Sequence, residues 1–251
     1  MKNYDNFLFD LYGTLIDIRT NEDDDKLWNT IRILYGYEGA EYSNTELKEM
    51  YHKFVQEEKA DVKRRFEDRE YIDIDLGKVF KKLFIYKKVD DISESKIKHI
   101  AATFRSVSTS LIELYDGVYE LLDYLKENNK KIILLSNAQS LFTLNEIKMF
   151  GLDKYFDDVF ISSDYEISKP DKEYFMIPIK KYDLDPDKTV MIGNDYISDM
   201  SGAAKANLHG IYIHQEISTP VPNENEIIAD FKIMDGDFRK IKDFIEKREV
   251  K

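Results

Sequence analysis

Acidic, hydroxyl and amide side chains follow several short apolar segments of this 251-residue chain, and together they could do chemistry. They are Asp10, Thr14, Ser136, Asn137, Asn194, Asp195 and Asp199, and Lys169 accompanies them. Carboxylates gathered at one place repel one another unless a cation lies between them, and Mg²⁺ prefers such oxygen ligands. A lysine and hydroxyl donors beside the ion are typical of phosphoryl transfer, which depends on positioning and charge neutralisation. Asp10 is then a candidate nucleophile that forms an acyl phosphate.

The spacing of apolar residues predicts the elements that bring these side chains together. Buried strands are predicted at 6–9, 131–135, 158–161, 189–192 and 210–213, the last of them being the final strand. From 118 onwards helical patterns alternate with these strands, which predicts an α/β fold with a Rossmann-like parallel sheet. Because ligands bind at the carboxyl ends of strands in such sheets, we expect the polar side chains to meet at one edge.

Residues 21–111 have a different pattern, with helical spacing and no convincing strand. The helical stripes lie at 27–34, 47–55 and 97–111. Ser43 and Glu46 have the spacing of a capping box, which predicts that a helix begins there. We therefore predict an all-helical insertion at 21–111.

The composition excludes several classes of function. Asp and Glu number 49 against 37 Lys and Arg, and the resulting charge of −12 argues against nucleic acid and acidic membranes as partners. The chain contains no Cys and four His, so thiolate metal sites are excluded and a zinc site is disfavoured. No apolar run approaches the roughly 20 residues of a membrane span, which predicts a cytoplasmic protein. The basic run 63–65 is interpreted as a solvated helix face.

Four segments, in this order and spacing, resemble the motifs of the haloacid dehalogenase superfamily. They are Asp10-Leu11-Tyr12-Gly13-Thr14-Leu15, Leu134-Leu135-Ser136-Asn137, Ser168-Lys169-Pro170, and Gly193-Asn194-Asp195 with Asp199. The helical insertion lies where one branch of this family has a helical cap. The resemblance therefore implies a catalytic core of residues 1–20 and 112–251, with a cap domain at 21–111.

The resemblance also implies a function, namely a magnesium-dependent phosphomonoester hydrolase with a phospho-aspartyl intermediate on Asp10. Its substrate would be a small phosphorylated metabolite, and the protein would be a monomer or homodimer. The implied roles are catalysis by Asp10, Ser136 and Lys169, substrate binding by Thr14 and Asn137, Mg²⁺ binding by Asp10, the Tyr12 backbone carbonyl and Asp195, and support from Asn194 and Asp199.

Tyr12 departs from the phosphatase pattern. The phosphatases of the family have a second Asp two residues after the nucleophile as a general acid and base, whereas the segment found here is similar to that of the 2-haloacid dehalogenases. A metal-independent dehalogenase that uses Asp10, or a weakly active protein that binds a phosphorylated metabolite, is therefore an alternative. The acidic residues after Gly193 favour the phosphatase, because they have little reason to be there without a cation. A tyrosine pKa of about 10 suits proton donation poorly, so we expect Tyr12 to pack against the cap.

Overall fold

A computed structural model describes residues 3–221 and 223–249 of the chain. A six-stranded sheet, with strand order β5-β4-β1-β6-β7-β8, forms its centre, and every pairing in that sheet is parallel. The strands are β1 (Asn6–Phe9), β2 (Ile16–Thr20), β3 (Thr109–Leu114), β4 (Lys131–Ser136), β5 (Asp158–Ile161), β6 (Thr189–Gly193), β7 (His209–Ile213) and β8 (Phe231–Ile233). The predicted parallel sheet is confirmed, and β1 lies near its middle.

Helices fall into two groups, those that accompany the sheet and those inserted after β2. They are α1 (Asp25–Tyr37), α2 (Asn44–Arg65), α3 (Leu76–Tyr86), α4 (Glu94–Ser108), α5 (Val118–Glu127), α6 (Ser140–Met149), α7 (Ser162–Tyr165), α8 (Lys172–Tyr182), α9 (Gly202–Lys205) and α10 (Arg239–Glu249). Short helical turns lie at Pro186–Lys188, Tyr196–Ser201 and Glu224–Glu226. No helix among residues 3–221 and 223–249 has the length and apolarity that a bilayer crossing requires.

Alternating side chains of the buried strands build two apolar layers, one on each face of the sheet. Phe7 and Phe9 of β1 belong to a cluster with residues of α5 and α10, whereas Leu8 belongs to a cluster with residues of α8 and α9. All four residues of β1 are buried. Burial on both faces explains why the parallel strands are continuous apolar runs without a polar alternation.

Helices α1 to α4, which we call the helical block (25–108), have an apolar cluster of their own. Trp28, Tyr51 and Phe104 are in aromatic contact there, with ring centroids 5.2 to 5.8 Å apart. The Ser43 side chain accepts a hydrogen bond from the Glu46 backbone N–H, so α2 begins where the sequence predicted. The three predicted stripes were incomplete, because the block has a fourth helix, α3.

The prediction of no strand within 21–111 was wrong. Strand β3 begins at Thr109 and pairs antiparallel with β2, so Leu111 lies in a strand rather than at the end of a helix. These two strands join the sheet to the helical block. Their pairing depends on partners about 90 residues apart, which local periodicity does not reveal. The division into a core of 1–20 and 112–251 and a cap of 21–111 stays a prediction.

The prediction that the sheet ends at 210–213 was also wrong. Strand β8 (Phe231–Ile233) adds one further parallel partner to β7, and α10 follows it. At three residues, β8 is too short to show a period, so no sequence pattern marked it.

Candidate active site

Asp10 follows β1 directly, and its carboxylate is held by one donor from its own turn and by two donors from distant segments. Its Oδ1 accepts hydrogen bonds from Lys169 Nζ at 2.7 Å and from Ser136 Oγ at 3.3 Å, and its Oδ2 accepts one from Thr14 Oγ1 at 3.2 Å. The residue is 7% exposed. Three segments that are far apart in sequence, 10–14, 136 and 169, thus meet at one carboxylate, as the strand-end argument predicts.

The turn after Asp10 returns the chain to this carboxylate. Gly13 has a φ of +78°, and a Cβ atom there would lie 2.4 Å from Asn194 Nδ2. Conformation and space therefore both require glycine. Thr14 Oγ1 lies 3.2 Å from Asn194 Oδ1, so this buried hydroxyl lies between the Asp10 carboxylate and the segment after β6.

Lys169 is buried and joins two carboxylates. Its Nζ lies 2.7 Å from Asp10 Oδ1 and 2.7 Å from Asp199 Oδ1. Asn137 brackets its backbone, since Asn137 Oδ1 accepts from the Lys169 N–H at 2.8 Å and Asn137 Nδ2 donates to the Lys169 carbonyl at 2.9 Å. Asn137, expected to bind substrate, therefore fixes the lysine in addition to lining the cavity described below.

The cluster of Asp10, Lys169 and Asp199 has more negative than positive groups. Burial, opposed by Lys169 and assisted by Asp10, raises the pKa of Asp199. Burial alone would lower the pKa of Lys169, but the carboxylates of Asp10 and Asp199 outweigh it and raise that pKa. Two carboxylates share one ammonium group, so the ionised cluster has one excess negative charge that a bound cation would offset.

Asp195 lies at the end of β6, and its carboxylate is oriented by the turn that follows. Its Oδ1 accepts from the backbone N–H groups of Ile197 at 2.9 Å and Ser198 at 2.6 Å, and its Oδ2 accepts from the Thr219 hydroxyl. The side chain is half-buried. The carboxylate thus has a fixed orientation before any ligand binds.

A cavity of about 220 Å³ lies between these carboxylates. It is lined by Asp10, Tyr12, Asn137, Lys169, Asn194, Asp195, Ser198, Asp199, Ile217 and Thr219. No group of three or more His, Cys, Asp or Glu side chains in the described part of the chain is arranged to hold a metal ion. The three carboxylates expected at one mouth, Asp10, Asp195 and Asp199, do line this cavity, and Asp199 is ion-paired with Lys169. Oxygen donors of Asp10 and Asp195 still line the same cavity, and this donor set fits Mg²⁺.

Comparison with known proteins decides the family. A family model described as haloacid dehalogenase-like hydrolase matches residues 42–213. The chain belongs to this family of hydrolases. Glyceraldehyde 3-phosphate phosphatase of Methanothermobacter thermautotrophicus is 23% identical over 116 residues, which cover 46% of this chain and 51% of that protein. Pyrophosphatase PpaX of Halalkalibacterium halodurans is 27% identical over 127 residues, covering 49% and 57%. The chain thus spans about half the length of these curated relatives.

Solved structures resemble this haloacid dehalogenase-like hydrolase over nearly its whole length. The 2-haloacid dehalogenase from Pseudomonas syringae pv. Tomato DC3000 matches with a TM-score of 0.68 and 14% identity, covering 97% of this chain and 99% of that one. The putative hydrolase YfnB from Bacillus subtilis, solved with magnesium bound, matches with a TM-score of 0.56 and 21% identity, covering 97% and 99%. At such identities the likeness shows the fold, and it confirms the predicted α/β class.

The Tyr12 hydroxyl of this hydrolase points away from Asp10, toward the contact between α4 and α6. It donates to the Glu146 carboxylate and lies 3.0 Å from Thr143 Oγ1. The Arg105 guanidinium lies 5.2 Å from the ring centroid, and its Nε donates to Glu146 Oε1 at 2.6 Å. Burial and the neighbouring Glu146 raise the pKa of Tyr12. The side chain packs against the helical block, as the sequence argument expected.

The segment after β7 was not predicted to contribute to this site. Ser218 Oγ accepts a hydrogen bond from Asn194 Nδ2 at 3.1 Å, and the Thr219 hydroxyl donates to Asp195. Ile217 and Thr219 line the cavity. Their position beyond the carboxyl end of a predicted strand was the available signal, since the same rule located Asp10 and Asp195.

Proposed function

We propose that this hydrolase is a magnesium-dependent phosphatase of small phosphorylated metabolites, with Asp10 as its nucleophile. The main support is the placement of two carboxylates, Asp10 and Asp195, on one cavity beside the Lys169 ammonium. Such a site can hold a divalent cation against a phosphate group. Relatives named as phosphatases, including the phosphorylated carbohydrates phosphatase of Thermotoga maritima at 25% identity, add support. A cytoplasmic location, the absence of a nucleic acid partner and a monomeric or homodimeric state stay predictions.

In the proposed reaction, a carboxylate oxygen of Asp10 attacks phosphorus, the bond from phosphorus to the leaving oxygen breaks, and the departing alkoxide takes a proton from water. Water then hydrolyses the acyl phosphate, which releases phosphate and restores the carboxylate. The Lys169 ammonium and the Ser136 hydroxyl both donate to Asp10 Oδ1, which supports a proposed role in stabilising the transferring oxygens. Asp199 keeps Lys169 in place from the opposite side.

The residues proposed to hold Mg²⁺ are Asp10, the Tyr12 backbone carbonyl and Asp195, with Asn194 and Asp199 in support. When bound, the ion neutralises charge on the phosphate oxygens. Thr219 and two backbone N–H groups orient Asp195, so this ligand needs little rearrangement. Thr14 lies between Asp10 and Asn194 and is proposed to contact the substrate phosphate.

A metal-independent 2-haloacid dehalogenase that uses Asp10 is the second candidate, and the orientation of Tyr12 favours it. The hydroxyl is directed to Glu146, so it is not placed to protonate an alkoxide leaving group. Halide departs without protonation, which removes the need for an acid. The excess negative charge and Asp195 argue for the phosphatase.

Product release from two substrate panels tests both candidates. We expect phosphate release from phosphomonoesters in the presence of Mg²⁺, its loss on adding a chelator, and no halide from 2-chloropropionate. Asp10→Asn should abolish turnover, because an amide is a poor nucleophile at this position. Chelator-resistant halide release would establish the dehalogenase instead. Full phosphatase activity of Asp10→Asn would refute the assignment of the nucleophile.

A further inference from the structure

Glu166 connects the sheet-bearing part of the molecule to the helical block by an ion-pair network. Its carboxylate accepts two hydrogen bonds from Arg65, at 2.6 and 2.7 Å, and one from Lys78 Nζ at 2.8 Å. Arg65 ends α2 and Lys78 lies in the first turn of α3, whereas Glu166 follows α7. The Glu166 side chain is 15% exposed, whereas those of Arg65 and Lys78 are 40% and 47% exposed, so the carboxylate is better shielded from solvent than the two cations.

The backbone beside Glu166 is held by the same part of the helical block. Arg69 Nη1 donates to the carbonyl oxygens of Tyr165 at 3.1 Å and Glu166 at 3.3 Å. The Ser168 N–H donates to the Tyr71 carbonyl at 3.1 Å. We call these bonds, together with the three to the Glu166 carboxylate, the clasp. The clasp ends one residue before Lys169.

Aromatic packing orients the cations of the clasp. The guanidinium of Arg69 lies 3.7 Å from the ring centroid of Phe66, and that of Arg65 lies 5.3 Å from it. Stacking on one ring restricts both side chains, so less conformational freedom is lost when they bind Glu166. The run 63–65, interpreted from sequence as a solvated face, thus includes one residue with a partner across the molecule.

Lys169 is therefore fixed from two directions. Asn137 brackets its backbone on the side of β4, and the clasp holds the preceding residues on the side of the helical block. Ile167, buried between them, ties this segment to the apolar layer beneath. A shift of the segment would move the ammonium group that lies 2.7 Å from Asp10.

We propose that Glu166 is a positioning residue for Lys169, acting through the clasp with Arg65 and Lys78. The docked position of the helical block then determines the position of the Lys169 ammonium group. The effect on turnover rests on the proposed phosphatase function, whereas the effect on the segment itself does not.

The rate of amide hydrogen exchange at Ser168 tests the clasp and does not require an activity assay. Glu166→Gln keeps the shape of the side chain and removes its charge, so we expect exchange at this amide to accelerate by about tenfold or more, the scale of lost charge-assisted hydrogen bonds. Asp158→Asn is the matched control, because Asp158 also binds a lysine, Lys181, at 2.7 Å but both lie outside the clasp. In Asp158→Asn, the exchange rate of the Ser168 amide should equal that of the wild type. Unchanged exchange in Glu166→Gln would overturn the proposal.

Steady-state kinetics test the link to Lys169. In Glu166→Gln we expect kcat to fall about tenfold with a smaller change in KM, since Lys169 acts on the transferring group. Arg65→Ala, at an exposed position, should give the same changes, and the double variant should be no worse than either single one. Faster exchange with unchanged kcat would overturn the positioning role. Absence of phosphatase activity in the wild type would refute the proposed function, while the exchange result would still decide on the clasp.

Discussion

At the scale of single residues, the orientation of Tyr12 determines how a leaving group can depart. Its hydroxyl donates to Glu146 and its ring lies beneath Arg105, so it serves the contact between α4 and α6. The side chain lines the cavity but directs its only proton elsewhere. Its backbone carbonyl, proposed as a ligand of Mg²⁺, does not depend on where this hydroxyl is directed.

Tyr12→Phe removes the hydroxyl of this residue and leaves its backbone carbonyl in place. We expect kcat to change by less than about threefold, because a general acid would contribute about 10²–10⁴-fold and this hydroxyl is not placed as one. The free energy of unfolding should fall by about 1–2 kcal/mol, since the buried Glu146 loses a donor. Phosphate release and urea unfolding measure the two effects.

Tyr155→Phe is the matched control for this variant. Its hydroxyl donates to Asp123 at 2.7 Å, in another part of the molecule, so it should lose stability without any change in kcat. A hundredfold loss of kcat in Tyr12→Phe alone would contradict our interpretation of Tyr12.

Residues at strand ends were predictable from sequence, and their side-chain partners were not. Asp10, Ser136 and Asp195 follow apolar runs, and one rule about parallel sheets places all of them at one edge. The partners of Tyr12 lie more than 90 residues away on two different helices. No local pattern encodes such a pairing, and only the packing of the helices determines it.

At the scale of elements, the end of β6 provides the space that the Asp199 carboxylate occupies. Gly193 is the last residue of β6, and a Cβ atom there would lie 2.3 Å from Asp199 Oδ2. The absent side chain lets Asp199 reach both Lys169 and the Asp195 backbone N–H. The glycine at the end of β6 thus allows Asp199 to pair with Lys169.

Gly193→Ala should displace Asp199 from these two partners. We expect phosphatase activity to fall at least about tenfold, and stability to fall by about 1–3 kcal/mol, as is usual for overpacked sites. Gly36→Ala is the control, because no atom would lie within 4 Å of the new Cβ and Gly36 is in a helix. That variant should gain up to about 1 kcal/mol. Wild-type kinetics in Gly193→Ala would show that the position of Asp199 is unimportant.

Elements with a strong local period were predicted well. Helix α5 begins at Val118, where the helical pattern was predicted to start. Helix α3 was missed although Val79, Phe80, Leu83 and Phe84 have helical spacing, so the signal was present. Strands β2 and β3 could not be predicted in this way. Their backbone hydrogen bonds join residues on either side of the inserted block, so no local pattern in the sequence indicates the pairing.

At the scale of the whole molecule, two of the polar groups that join the helical block to the sheet-bearing part contain ion pairs. These are the group of Tyr12, Arg105 and Glu146, and the clasp at Glu166. Both depend on charge, so the docking of the block should respond to pH.

The Glu166 carboxyl makes stability depend on pH in the acidic range. Hydrogen bonds from Arg65, opposed by burial and assisted by Lys78, lower its pKa from the ordinary 4.5 to about 2. A lowered pKa in the folded state stabilises the fold above the unfolded value, and this contribution is lost as pH falls toward the folded value. The stability difference between wild type and Glu166→Gln should therefore be full above about pH 5 and shrink steadily below about pH 4.5. Urea unfolding of both proteins across this range measures it, and a constant difference would contradict the lowered pKa.

Magnesium should stabilise the whole fold, because a ligand that binds only the native state adds its binding free energy to that of folding. At a concentration 100 times Kd the gain is about 2.7 kcal/mol, and the melting temperature rises accordingly. Asp195→Asn should abolish this rise, since the amide retains the hydrogen bonds to Ile197 and Ser198 but loses the charge. Asp24→Asn is the matched control: Asp24 also caps a helix, with its side chain accepting from the Lys26 N–H at 2.8 Å, but it does not line the cavity. An equal magnesium-induced shift in Asp195→Asn and Asp24→Asn would place the ion elsewhere.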